Sequence, residues 1–169
     1  RITDFMHRQR AAGTEVRTFE DLYQWSIDKP AAFWEALWEF CGVLGERPGP
    51  TLVGGERMPG ARWFPNAEIN FAENLLRRRG KEPAIVFRRE DGERRTLSFD
   101  ALRWEVGQMQ AALRAAGLQP GDRVAAILPN IPEAVVAVLG VTSLGGIWSS
   151  CSPDFGAPGM LDRFGQIEP

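Results

Sequence analysis

The chain has 169 residues, 44% hydrophobic, 25% charged and 10% aromatic, a composition that excludes disordered, collagenous and membrane-embedded classes. Its 20 Lys plus Arg against 22 Asp plus Glu leave a formal charge of -2, which gives no field pointing to nucleic acid or an anionic membrane surface as partner. Two distant cysteines, Cys41 and Cys151, cannot build a disulfide framework, so a reducing, cytoplasmic setting is expected, and with His7 as the single histidine no metal site is expected either.

The first third is rich in aromatic residues on short helical stretches. Thr18 is placed to cap a helix over 19–27, and Pro30 opens the next, in which Phe33, Leu37 and Phe40 recur at helical spacing. This stripe, together with Phe19, Tyr23, Trp25, Trp34 and Trp38, reads as core packing. Residues 42–65 are dominated by glycine and proline and read as a linker or a long wrapping loop. A short helix over 70–79 follows, its basic end Arg77-Arg78-Arg79 complementing the helix dipole and Gly80 suiting a left-handed C-terminal position.

Strands over 84–87 and 94–97 flank Asp91-Gly92, the signature of a tight hairpin, with Arg88, Arg89, Glu90, Glu93, Arg94 and Arg95 as solvated charge near its tip. Ser98 caps a long helix to Ala116 in which Leu102, Val106, Met109, Leu113 and Ala116 share a face. The apolar run 123–128 reads as a strand buried on both faces, Pro132 opens an apolar helix to Leu144, and 147–150 is a further strand. The alternation from Arg94 onward predicts an α/β fold with a parallel sheet wrapped by helices. The most apolar stretch, around 134–139, is too interrupted to span a membrane.

In such a sheet, ligands bind beyond the carboxyl ends of the strands, which singles out Cys151-Ser152-Pro153-Asp154-Phe155-Gly156. Hydroxyls, an acid, a ring and glycine can face a nucleotide; the same residues can also form a Pro-Asp turn with Phe155 tucked into the core. Other chemistries lack their residues. No G-x-x-x-x-G-K-[ST] is present, and Gly140, Gly145 and Gly146 do not match G-x-G-x-x-G. His7 is far in sequence from Ser149, Ser150 and Ser152, Cys151 has no visible base, and the carboxylates Glu20, Asp21, Glu35, Glu39 and Glu73 fall on helix surfaces.

Two longer runs carry a resemblance. The first is Gly146-Ile147-Trp148-Ser149-Ser150-Cys151-Ser152-Pro153-Asp154-Phe155-Gly156, followed by Leu161-Asp162-Arg163-Phe164-Gly165-Gln166-Ile167-Glu168-Pro169. The second is Trp63-Phe64-Pro65-Asn66-Ala67-Glu68-Ile69-Asn70-Phe71-Ala72-Glu73-Asn74-Leu75-Leu76. Both resemble the acetoacetyl-CoA synthetases, a family within the adenylate-forming acyl-CoA synthetase superfamily, and the Trp-rich opening resembles that family's helical extension. Asn66 departs from the family, where glycine is usual. Relatives acting on acetate or propionate usually carry histidine at the place of Trp148 and a Phe-Gly-Gly-Phe-Ser-like loop at 152–156, so the likeness is to the acetoacetate branch.

The resemblance implies an α/β chain with an N-terminal helical extension and linker at 1–75 and the first part of a parallel-sheet, AMP-binding (adenylating) domain at 76–169. It implies an ATP-dependent, Mg²⁺-assisted ligase joining acetoacetate to coenzyme A through an acyl-adenylate, with small-molecule substrates and no nucleic-acid or membrane partner. Another short acyl acid, or a non-catalytic interaction module, are the alternatives. The chain opens at Arg1 and ends directly after the amphipathic stretch 160–167, as expected of an N-terminal fragment. The family's phosphate loop, ribose-binding acid and catalytic lysine correspond to positions after Pro169, so the fragment is expected to be inactive alone. By correspondence, Ser152, Pro153, Asp154 and Phe155 line the coenzyme A nucleotide site.

Overall fold

The computed structural model describes residues 1–169, which divide into two compact units, Arg1–Ile69 and Asn70–Pro169. The first contains helices α1 (Ile2–Ala11), α2 (Phe19–Asp28) and α3 (Pro30–Cys41). Thr18 starts α2 through a reciprocal cap: its Oγ1 accepts from Asp21 N at 3.1 Å, while Asp21 Oδ2 accepts from the amides of Arg17 and Thr18, both at 2.8 Å. Those two amides hold the Asp21 carboxyl below the usual carboxylate range.

Phe5, Val16 and Leu22 form the buried centre of this unit, with Trp25, Phe33, Leu37 and Phe40 packed around them. The Phe5 ring meets Phe33 edge-on at 5.9 Å and Phe40 at 5.1 Å. Half of the aromatic stripe is thus core. Phe19 and Tyr23 instead face solvent, and Trp34 is half-exposed, edge-on to Trp63 at 5.8 Å. The segment read as a linker contains a minimal antiparallel ladder, β1 (Leu52–Val53) with β2 (Arg62–Trp63), and a bridge between Glu46 and Glu68. The turn after it takes its positive φ at Phe64 (42°), not at Asn66, so asparagine is accommodated there.

The second unit runs α4 (Phe71–Leu76), β3 (Pro83–Arg88), β4 (Arg94–Ser98), α5 (Phe99–Ala115), β5 (Arg123–Ile127), α6 (Pro132–Ser143), β6 (Ile147–Cys151), a 3₁₀ turn (Pro153–Phe155) and α7 (Gly156–Gly165). Helix α4 stops three residues short of the expected end. Arg103 takes the Leu76 carbonyl, Arg78 covers the Phe99 ring at 4.5 Å, and Gly80 N donates to Asp100 Oδ1 at 2.9 Å. The basic triplet therefore lies outside the helix, and the dipole role expected of it is corrected: packing on α5 outcompetes another helical turn.

β3 and β4 pair antiparallel, with Arg89 N bonded to Glu93 O at 2.9 Å across a three-residue loop. Within Asp91-Gly92, glycine alone takes a positive φ, 92°, as a type I turn closed by a left-handed residue requires. Because β4 pairs only with β3, the parallel arrangement begins later than the alternation suggested. It consists of β5 and β6, aligned Arg123 to Ile147 through Ile127 to Cys151 and joined through α6. Within residues 1–169 β5 has one strand neighbour, and Ile127 and Ile147 are about half exposed.

The core of this unit is Ala72, Leu76, Leu102, Val106, Val136 and Leu139, from α4, α5 and α6. α5 and α6 approach closely because position 140 is glycine; a Cβ there would sit 2.5 Å from Met109 Cγ. Arg95 is not tip decoration. Its Nη1 and Nη2 donate to Glu133 Oε1 and Oε2 at 2.6 and 2.8 Å, clamping the hairpin to the first turn of α6. Those bonds, then the Glu133 backbone amide, hold its carboxyl below the ordinary glutamate range. A depressed carboxyl stabilises the fold above its unfolded value, about 4.3, and loses that contribution as pH falls through the folded value. The melting temperatures of the parent and Glu133→Gln are therefore expected to differ at pH 6 and to converge as the pH falls from the unfolded value through the lower folded one, where the parent's own carboxyl becomes protonated.

Candidate functional site

The loop after β6 is built by its own residues. Ser152 leaves the strand in extended conformation; its Oγ accepts from Asp154 N at 3.3 Å and donates to Asp154 Oδ2 at 2.7 Å, so the acid is turned back onto the serine. Pro153 supplies the fixed φ of the 3₁₀ turn. Ahead of the loop, Cys151 is buried and its carbonyl accepts from Leu128 N at 3.2 Å, joining the ends of β5 and β6. Cys151 is thus a packing residue, and Trp148 Nε1 donates to Ser150 Oγ at 3.2 Å on the same strand.

Phe155 is 49% exposed, so its ring is not packed into the core of the second unit. One of its faces is covered by the Arg163 guanidinium, 3.9 Å from the ring centroid. The structure thus brings Ser152, Pro153, Asp154 and Phe155 together at the carboxyl end of a parallel strand, as the topology required, and adds Arg163. The signal for Arg163 lay in its spacing, eight residues after Phe155 and four after Gly159, along one helix face.

His7 is exposed on α1, in the first unit, while the serines belong to the second. Asp21 is spent on its cap, and Glu35 and Glu39 both bind Arg47, Glu35 at 2.9 Å. Nowhere do three or more His, Cys, Asp or Glu come close enough to hold a metal ion. No helix is long and apolar enough to cross a membrane.

Residues 71–169, more than half of the chain, match the AMP-binding enzyme family, and residues 19–75 match the acetyl-coenzyme A synthetase N-terminus. The chain belongs to the AMP-binding enzyme family. Among curated members, acetoacetyl-coenzyme A synthetase of Rhizobium meliloti (strain 1021) is 51% identical over 157 residues, 93% of this chain and 24% of that protein. Malonamoyl-CoA synthetase vrtB of Penicillium aethiopicum is 38% identical over 93% of this chain and 23% of its own length. The solved acetoacetyl-CoA synthetase from Streptomyces lividans superposes with a TM-score of 0.91 at 42% identity, over 99% of this chain and 27% of that one. The chain thus spans about a quarter of the family members it matches, in their N-terminal region, with the adenylate-forming fold expected of it.

Proposed function

We propose that this chain is the N-terminal part of an ATP-dependent ligase that joins acetoacetate to coenzyme A through an acyl-adenylate. Residues 1–75 are its helical extension and linker, and 76–169 begin its adenylating domain. The observation that carries this reading is the 51% identity over 93% of the chain to an acetoacetyl-coenzyme A synthetase. The likeness to a malonamoyl-CoA synthetase favours, as second reading, a ligase for another short acyl acid. The enzyme works in the cytoplasm on small molecules: acetoacetate, ATP and coenzyme A.

The residues present do not make an ATP or Mg²⁺ site. No glycine-rich strand-to-helix turn carries a lysine, and no acidic cluster can hold a cation, so adenylation is not assigned to any side chain of this segment. The reading of the 152–155 loop as a wall of the coenzyme A nucleotide site is supported by the exposed Phe155 ring and by the Ser152–Asp154 hydrogen bond that orders the turn beneath it. In this role Phe155 stacks on the base while Ser152 and Pro153 hold the turn that presents it.

Acid-dependent exchange of pyrophosphate into ATP tests the substrate, using the full-length protein with acetoacetate, acetate, propionate and malonamate. Acetoacetate is expected to give the highest kcat/KM; a clear preference for another acid establishes the second reading. The loop is tested by Phe155→Ala in the full-length enzyme. Losing a base-stacking surface, worth roughly 1–3 kcal/mol, raises the KM for coenzyme A and spares pyrophosphate exchange. An unchanged KM in a folded variant refutes the binding role.

A further inference from the structure

Positions 155, 159 and 163 recur every four residues along one face of the turn and helix that follow β6. Gly159 leaves that face bare, since even a Cβ there would touch Arg163 Nη1 and Phe155 Cβ, each at 3.5 Å. The Arg163 side chain, leaning toward the helix N-terminus as helical side chains do, crosses this gap. Its Nη1 donates to Gly159 O at 3.2 Å and its guanidinium ends 3.9 Å from the centre of the Phe155 ring.

Arg47, Arg89 and Arg95 each pair with carboxylates, whereas Arg163 is held by a carbonyl and a ring and has no acidic partner. The nearby acid, Asp154, is engaged by the Ser152 hydroxyl at 2.7 Å. A guanidinium has five N–H donors in a rigid fork that matches phosphate oxygens in pairs. Here one donor is used to fix the group, the ring orients its plane, and the others remain uncommitted beside an exposed aromatic face.

We infer that Arg163 binds a phosphate of the coenzyme A nucleotide through this pre-positioned fork. The inference rests on the reading of the 152–155 loop as the wall of the nucleotide site. It adds a specificity determinant: the site selects a phosphorylated adenosine over an adenine ring alone. Coenzyme A carries such phosphates in two places, the ribose 3′-phosphate and the diphosphate bridge, and both offer the same chemistry to a guanidinium.

The test compares Arg163→Ala, Arg163→Gln, Arg163→Lys and Phe155→Ala in the full-length enzyme, with coenzyme A and dephospho-coenzyme A as thiols. Removal of the charge in the Ala and Gln variants is expected to raise the KM for coenzyme A about tenfold or more. The lysine variant falls between them and the parent, because it keeps the charge and loses the fork. The rise is confined to coenzyme A, with the KM for ATP in pyrophosphate exchange and the melting temperature unmoved. A penalty that disappears with dephospho-coenzyme A assigns the contact to the 3′-phosphate, and one that persists assigns it to the diphosphate. If the Arg163 variants keep the parental KM while Phe155→Ala raises it, Arg163 has no such role and the loop reading survives. If none of the four variants changes it, both fail. Equal losses in pyrophosphate exchange and thioester formation show a purely structural arginine and overturn the inference.

Discussion

Leu139→Ala is expected to lower the stability of the second unit by roughly 2–5 kcal/mol, the range for removing a buried leucine. Leu139 is 2% exposed and belongs to the cluster of Ala72, Leu76, Leu102, Val106 and Val136. The cavity has little freedom to collapse. Its walls are three helices, and the α5–α6 spacing is set by Gly140 against Met109. Leu161, 73% exposed on α7, is the matched control: the same substitution there should change stability by less than about 0.5 kcal/mol. Urea unfolding followed by amide exchange in α5 and α6 reads the second unit separately from the first, as a chain of two compact units requires. A Leu139→Ala midpoint within error of that of Leu161→Ala would show that this cluster is not the stabilising core.

The second large effect is expected at Asn70, which performs two tasks with one amide. Its Oδ1 accepts from Glu73 N at 3.0 Å and caps α4, while Nδ2 donates to the carbonyls of Thr142 and Ser143, both at 3.2 Å, at the end of α6. Three substitutions separate the tasks. Asn70→Ser keeps a capping oxygen and loses the donor to α6, so its cost is the two neutral hydrogen bonds, roughly 0.5–1.5 kcal/mol each. Asn70→Ala loses the cap as well, a further 1 kcal/mol or so. Asn70→Asp keeps an excellent cap but points a carboxylate oxygen at two carbonyl oxygens. It is expected to be at least as damaging as Ala at pH 7 and to recover as the pH is lowered and the carboxyl, becoming protonated, regains a donor. An aspartate variant as stable as the parent at pH 7 would show that the cap is the only task.

The local signals were legible because the groups that satisfy them lie within four residues of each other. Thr18 and Ser98 each cap the helix that follows, Pro30 and Pro132 each open one, and Gly92 takes the positive φ of the hairpin; Asn70, read as the first residue of its helix, is its cap instead. The place of the candidate site was legible for a related reason: a strand, a helix and a second strand in succession specify parallel pairing, and parallel pairing specifies the end where loops gather. Motif likeness in 63–76 and 146–169 carried the family, which no periodicity could have supplied.

What sequence reasoning missed are contacts between residues far apart in the chain. Arg95 and Glu133 are 38 residues apart, and Asn70 and Ser143 are 73 apart; each side chain, read alone, looks like a solvated charge or a residue at a helix start. Arg77-Arg78-Arg79 followed by Gly80 has the composition of a helix end, yet α4 ends at Leu76 because Arg103 and Asp100 of α5 claim the groups that would continue it. Phe19 and Tyr23 share the aromatic character of Phe33 and Phe40 but stay exposed, since the part of α2 that packs into the cluster around Phe5 is Leu22 and Trp25. The pairing of β4 with β3 alone was equally undetermined, because a strand before a helix can join either kind of sheet.

The sequence by itself therefore left open the short β1–β2 ladder and the end of α4. It determined the helices from Thr18 onward and the strands from β3 onward, most of the caps and turns that bound them, the class of the fold and the family. Those depend on hydrogen bonds and periodicities that close over a few residues, or on motifs that are matched whole. Only the tertiary structure decided that Asn70 ties α4 to α6, that Arg95 clamps the hairpin to α6, that Phe155 stays half in solvent, and that Arg163 lies over it. Each of those depends on where a packed helix places a side chain relative to an element fixed elsewhere, and that placement is set by the fit of the core as a whole.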